Sequence, residues 1–320
     1  MNFNLIDTLF NIIVMLFWIR LWNSSTEAAF NIYLSLIKNI TESVLELFRL
    51  VLTHPALAAT TIVCLLLLFR AVALSLTNQE TIQEAWKLRF GFESISPASC
   101  QKVAEGGQLI FHEQPLDSQT QILHKQKQPL LFIGFSVLSF AIFLFHIWTL
   151  SMLFLVKYRH GRRGSNAAEF LHTLALPFSN LSPAKRPWFL VFYGMLISAS
   201  INLALRHSAS QGVKSLIVGI LPVFQYAVNA CAGIIDILLI LQYILMVLII
   251  GSWLVIFIGN QTLIVICREW LDFFLTPFRR FHVHIGMFDL TPIIAFLALG
   301  FMHWVLKGGF FILYVYLHQI

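Results

Sequence analysis

Between two long apolar runs, the stretch from Arg268 to Pro292 holds much of the chain's candidate chemistry: Arg268, Asp272, Arg279, Arg280, His282, His284 and Asp289. Arg279 and Arg280, side by side, suit anionic lipid headgroups, at about 1 kcal/mol per charge near a membrane surface. They also suit local pairing with Asp272 or Asp289, which is weak when exposed. Together with Trp270 they suit a docking surface for a partner protein, where arginine and aromatic side chains act as anchors. His282 and His284 point to one side only in extended backbone. With no third ligand nearby, they do not make a metal site.

The elements that would position these residues follow from spacing. Arg268, Asp272 and Thr276 share one stripe of an otherwise apolar helix. Pro277 ends that helix, because the residue before a proline is pushed out of the helical region. Gly286 allows a sharp turn, and Asp289, three residues before Pro292, reads as the N-cap of the next helix.

The 320 residues are 58% hydrophobic and 11% charged, with a mean hydropathy of +0.79. A soluble domain carries roughly twice that charged fraction. The runs are long and continuously apolar, which points to spanning helices rather than barrel strands. The fold class is therefore all-α: a polytopic helical membrane protein. The net charge of +6 fits membrane topology and lipid headgroups, with no nucleic acid implied. Cys64, Cys100, Cys231 and Cys267 lie far apart and imply neither a disulfide framework nor a zinc site.

Spans are expected at 5–22, 56–76, 130–156, 188–205, about 234–258 and 290–306. Ser24 and Glu27 have the spacing of a capping box. The helix they would start runs to about Leu52. Asn31, Ser35, Lys38, Glu42, Glu46 and Arg49 form a narrow polar stripe along it, as in a helix that lies in the membrane interface or packs on a partner, and the in-plane position is preferred over a tilted span. Arg70, near the end of its span, is expected to snorkel to the headgroups. Residues 77–128 form the one water-soluble interruption, in which His112 and Glu113 lack a second ligand pair and Leu109 to Phe111 suit a strand. The loop 157–187 has six basic residues against the single acid Glu169, so it is placed in the cytoplasm. The apolar run 216–258 is too long for one crossing, and Pro222 and Gly233 are read as dividing it. Lys307, Gly308 and Gly309 are read as ending the last span.

Offset by one hundred residues, the chain aligns Phe170-Leu171 with Trp270-Leu271, Pro177-Phe178 with Pro277-Phe278, and Leu190 with Leu290. Each copy reads span, amphipathic helix, polar turn, span, in the same orientation, which places the 259–289 loop in the cytoplasm too. The N-terminal 75 residues have the same order of elements, a degenerate third copy. Ser252-Trp253, then Thr276-Pro277-Phe278-Arg279-Arg280, then Gly286-Met287-Phe288-Asp289-Leu290-Thr291-Pro292, resembles the signature of the YggT/YlmG family of bacterial and plastid membrane proteins. The resemblance covers about 234–306 well. It is weaker over 130–206, where Ser179 and Asn180 replace the arginines and Phe189 the aspartate. It implies an integral inner-membrane protein linked to osmotic or ion tolerance, cell division and envelope organisation, with plastid relatives linked to cytochrome haem assembly.

The resulting organisation is an N-terminal unit at 1–76, a soluble loop at 77–128, a degenerate repeat at 129–206 and a second repeat at 207–320. The expected function is a non-enzymatic scaffold or assembly factor, whose partners are lipid and a membrane protein or a second copy of the chain. Its site residues are Arg279, Arg280, Asp289, Pro277, Gly286, Pro292 and Trp270. An ion channel or transporter component is the alternative, for which Asp236 is the best-placed residue. His146 and His303 lie within spans, where two facing imidazoles could ligate a haem. A lone buried histidine more often bonds a neighbouring hydroxyl or carbonyl, so no cofactor is expected. Nucleophile-elbow, phosphate-loop and zinc-protease patterns are missing from the sequence, which argues against an enzyme.

Overall fold

The computed structural model describes residues 3–22, 31–49, 52, 54–76, 129–158, 166–175, 181–182, 184–208, 220–258, 261–278, 284–285 and 288–318. The soluble loop with His112 and Glu113, the Ser24 capping box, Pro177 to Asn180, and Arg279, Arg280, His282 and Gly286 lie outside these residues.

The helices are α1 (Phe3–Trp22), α2 (Ile32–Arg49), α3 (Pro55–Leu76), α4 (Pro129–Tyr158), α5 (Asn166–Leu174), α6 (Arg186–Ser208), α7 (Ile220–Ile235), α8 (Ile237–Ile258), α9 (Gln261–Leu275) and α10 (Thr291–His318). A two-residue antiparallel pair, β1 (His284–Ile285) with β2 (Phe288–Asp289), sets His284 opposite Asp289. Among the described residues, four stretches have the length and apolarity of a membrane crossing: Pro55–Ala73, Ser136–Leu153, Tyr226–Ser252 and Thr291–Phe310. The apolar part of α1, Thr8–Trp22, is shorter. The chain is a polytopic helical membrane protein.

Packing follows a chain of neighbours. α3 lies between α1 and α4, α6 between α4 and α7, and α8 against α9 and α10. Helices in lipid gain nothing from hiding apolar surface from one another, so close fit and interhelical hydrogen bonds hold them. At the α6–α7 crossing, a Cβ placed on Gly194 would come within 2.8 Å of the Ala230 Cβ and 3.2 Å of the Phe145 ring. The close approach needs a glycine there. Nearby, Asn229 Nδ2 donates to Ser198 Oγ at 3.0 Å.

Four expectations are corrected. Arg70 does not snorkel: it is buried, donating to Asn11 Oδ1 of α1 at 2.7 Å and Ser139 Oγ of α4 at 2.6 Å, with its guanidinium 5.8 Å from the Phe10 ring centre. Acceptors on two neighbouring helices take a donor from each terminal nitrogen of the guanidinium, which offsets part of the cost of burying it. The 216–258 run is divided at Asp236 and not at Pro222 or Gly233. Pro222 sits in the first turn of α7, where its missing N–H has no role, and Gly233 lies within the helix. Asp289 is not at the N-cap position of the last helix. It lies in β2, and Leu290 precedes the first helical residue, accepting from Ile293 N at 3.1 Å and Ile294 N at 3.0 Å. Finally, α10 runs through Gly308 and Gly309 to His318, since glycine lowers helix stability without breaking a long apolar helix.

Candidate functional site: a three-helix junction

The helices α2, α5 and α9 each follow one long helix, and they meet. α2 starts at Ile32 because Asn31 caps it: Asn31 Oδ1 accepts from Tyr33 N at 3.0 Å and Leu34 N at 3.3 Å. The same side chain turns its Nδ2 to the Asn166 carbonyl at 2.8 Å, at the start of α5. Thus one buried asparagine begins one helix and binds it to the next.

Three faces of α2 divide cleanly. Leu34, Ile37, Thr41 and Leu45 are buried against the protein. Ile32, Leu36, Ile40, Val44 and Leu47 advance by four and three residues and are exposed, Leu47 to 66%. Ser35, Lys38, Asn39, Glu42, Glu46 and Arg49 fill the remaining sector. One face for protein, one apolar face left open and one polar face suit a helix that lies in the interface plane. Glu42 anchors this helix by joining Arg20 at the end of α1, at 2.9 Å, to Arg49, at 2.7 Å.

The centre of the junction is aromatic. Tyr33 of α2, Phe170 of α5 and Trp270 of α9 contact one another, with ring centres 5.6 Å apart for Tyr33–Phe170, 5.6 Å for Tyr33–Trp270 and 6.3 Å for Phe170–Trp270. Trp270 also stacks on Phe274 and meets the edge of Phe273. Such pairs each contribute about 0.5–1.5 kcal/mol beyond buried area.

Glu269 supplies the polar half. One oxygen accepts the Tyr33 hydroxyl at 2.7 Å, and the other accepts Ala167 N at 3.1 Å. Ala167 lies in the first turn of α5, where N–H groups have no partner within the helix and a negative charge is favoured. Burial first, and then the hydrogen bond to Glu269, push the Tyr33 phenol well above its usual range.

Of the expected site residues, Trp270 lies at this centre, half-buried, and Pro277 is exposed just beyond α9. Thr276 and Phe278 close the end of α9, with Thr276 N on Asp272 O at 3.1 Å and Phe278 N on Leu275 O at 2.8 Å. Arg268, Asp272 and Thr276 are exposed on one stripe. Pro292 is the second residue of α10, and Asp289 lies in β2, paired with His284. Asn31, Tyr33 and Glu269 were not singled out as site residues. The signal for Glu269 was present in the offset of one hundred, which aligns it with Glu169.

A second polar cluster lies inside the bundle. Asp236 Oδ1 meets His303 Nε2 at 2.9 Å and Lys307 Nζ at 3.1 Å, both from α10. His303 is therefore occupied by a carboxylate. Among the described residues, no three His, Cys, Asp or Glu side chains converge as metal ligands would.

Residues 228–310 match the CCB3/YggT family model. This stretch is similar to that family. It spans α7 from Val228 onward, α8, α9, the β1–β2 turn and α10 to Phe310, and so contains Glu269, Trp270 and the Asp236 cluster. Tyr33, Asn31 and Phe170, which complete the junction, come from outside the matched residues. No curated protein and no solved structure matches the chain.

Proposed function

We propose that this protein is a non-enzymatic scaffold or assembly factor of a bacterial inner membrane, serving envelope organisation, cell division or osmotic tolerance. Its working surface is made by α2, α5, α9 and the Arg279-Arg280 turn, on the cytoplasmic side. The observation that carries the reading is the joining of three amphipathic helices into one unit by Tyr33, Phe170, Trp270 and Glu269. Glu269 and Asn31 are taken up in capping and tying helices, which supports a structural rather than a catalytic use. The outer faces retain Glu46, Arg268 and Asp272 in exposed positions. The open apolar face of α2 supports contact with acyl chains, and the basic 157–187 loop beside α5 supports the cytoplasmic placement.

In this reading Arg279 and Arg280 recruit anionic lipid and a membrane-protein partner or second copy. The two units at 129–206 and 207–320 act as repeats that bring Phe170 and Trp270 together. Affinity purification in mild detergent tests the proposal. A defined partner that is retained by the wild type and released by Arg279→Ala with Arg280→Ala supports it, provided the variant stays folded in the membrane. Unchanged recovery from both would refute it.

A further inference from the structure

Asp236 stands within the apolar stretch Tyr226–Ser252, at the residue where α7 gives way to α8. Its N–H still bonds Ala232 O at 3.0 Å, while its carbonyl accepts from both Leu239 N at 3.1 Å and Ile240 N at 3.2 Å. The regular ladder is thus interrupted beside a carboxylate. Discontinuous membrane helices combine freed backbone carbonyls with such groups to hold monovalent cations.

Here the carboxylate is already met from α10. His303 and Lys307 lie one turn apart and both reach Oδ1, whereas Oδ2 takes no donor from the described residues. Two properties make the ammonium replaceable. The Lys307 side chain is 44% exposed against 12% for Asp236, and it lies near the far end of the apolar stretch Thr291–Phe310. Its flexible stem therefore lets the charged head swing out to the interface. It also has no second acceptor among the described residues. A carboxylate so enclosed does not remain without a counter-charge, so departure of the ammonium requires another cation to arrive.

We infer that Asp236 at the α7–α8 break is a binding seat for a small alkali cation, Na+ or K+, for which the Lys307 ammonium is a tethered internal competitor. His303 remains on Oδ1 in both states. This inference stands apart from the scaffold reading and does not depend on it.

The test is acetylation of Lys307 by an amine-reactive ester in the full-length chain, read by mass spectrometry against exposed Lys185 as reference. At constant pH and ionic strength, replacing choline by Na+ or K+ raises the Lys307 rate saturably, by about twofold or more when half the seats are filled. Choline is too large to enter. In Asp236→Asn, Lys307 reacts fast in all three salts. Equal wild-type rates in Na+, K+ and choline would overturn the inference, and so would a salt response in Asp236→Asn like that of the wild type. A second readout uses Lys307→Met, which removes the competitor. Its unfolding temperature rises with Na+ or K+ and not with choline, and identical temperatures in the three salts would overturn the inference equally.

Discussion

Phe170 and Trp270, one hundred residues apart in sequence, meet edge to face with ring centres 6.3 Å apart and planes at 88°. Each sits in a short amphipathic helix after a long apolar one, and each is preceded by a glutamate. The contact joins the two short helices, and Tyr33 of α2 meets both rings.

Trp270→Ala removes a ring that touches four others, Tyr33, Phe170, Phe273 and Phe274. The expected cost is about 3 kcal/mol, at the low end of the range for such truncations because the indole is half-buried. A double-mutant cycle of Tyr33→Leu with Trp270→Leu should return a coupling of about 1 kcal/mol. Denaturant unfolding in detergent measures both, and additive effects would deny the aromatic junction.

Glu269→Ala leaves the Tyr33 hydroxyl and the Ala167 N–H without their acceptor, at a cost of about 1–3 kcal/mol. Faster hydrogen exchange should appear in the first turn of α5, although the substitution is in α9. Glu269→Gln, which keeps an acceptor oxygen, should lose less.

The Tyr33 phenol gives a pH dependence of known sign. Its pKa is raised in the fold, chiefly by burial and then by Glu269. The neutral form is favoured, so this contribution is complete below the unfolded value of 10.0 and declines as pH rises above it. Tyrosinate absorbance should show one phenol ionising after the ordinary ones. Glu269→Ala should lower that last transition without abolishing its elevation, since burial remains.

Arg70→Ala strips Asn11 and Ser139 of a charged donor between three helices and should cost about 3 kcal/mol. Arg70→Lys should recover only part of it, because one ammonium cannot reproduce two divergent guanidinium donors. Thermal unfolding in detergent compares them. A loss under about 0.5 kcal/mol, as for an exposed surface substitution, would return Arg70 to the headgroups.

The long apolar helices and the shorter amphipathic ones were legible because they depend on local rules. Continuous apolar runs, the polar stripe from Ser35 to Arg49, and Pro277 at the end of α9 each state their structure within a few residues. What the sequence did not disclose depends on distant partners. Arg70 reads as a snorkelling residue until Asn11 and Ser139 are seen beside it, 59 and 69 positions away. Asp236 reads as an isolated acid until a full turn of α10 supplies His303 and Lys307. Glu269 lies beside the conspicuous Trp270, yet its role is fixed by Ala167 and Tyr33. The cap of α10 was misplaced by one residue, because the short strand pair takes Asp289 for its own backbone pairing.

The central claim, that α2, α5 and α9 form one platform on a single membrane face, is tested most directly by single-cysteine labelling in sealed vesicles of known orientation. Cysteines placed at Asn39, Thr173 and Asp272, on a background free of the native cysteines, should all react with an impermeant maleimide from the cytoplasmic side and not from the other. A cysteine at Leu36 or Val44 should instead respond to a quencher held in the lipid. Labelling of Asn39 and Asp272 positions from opposite sides would contradict the account.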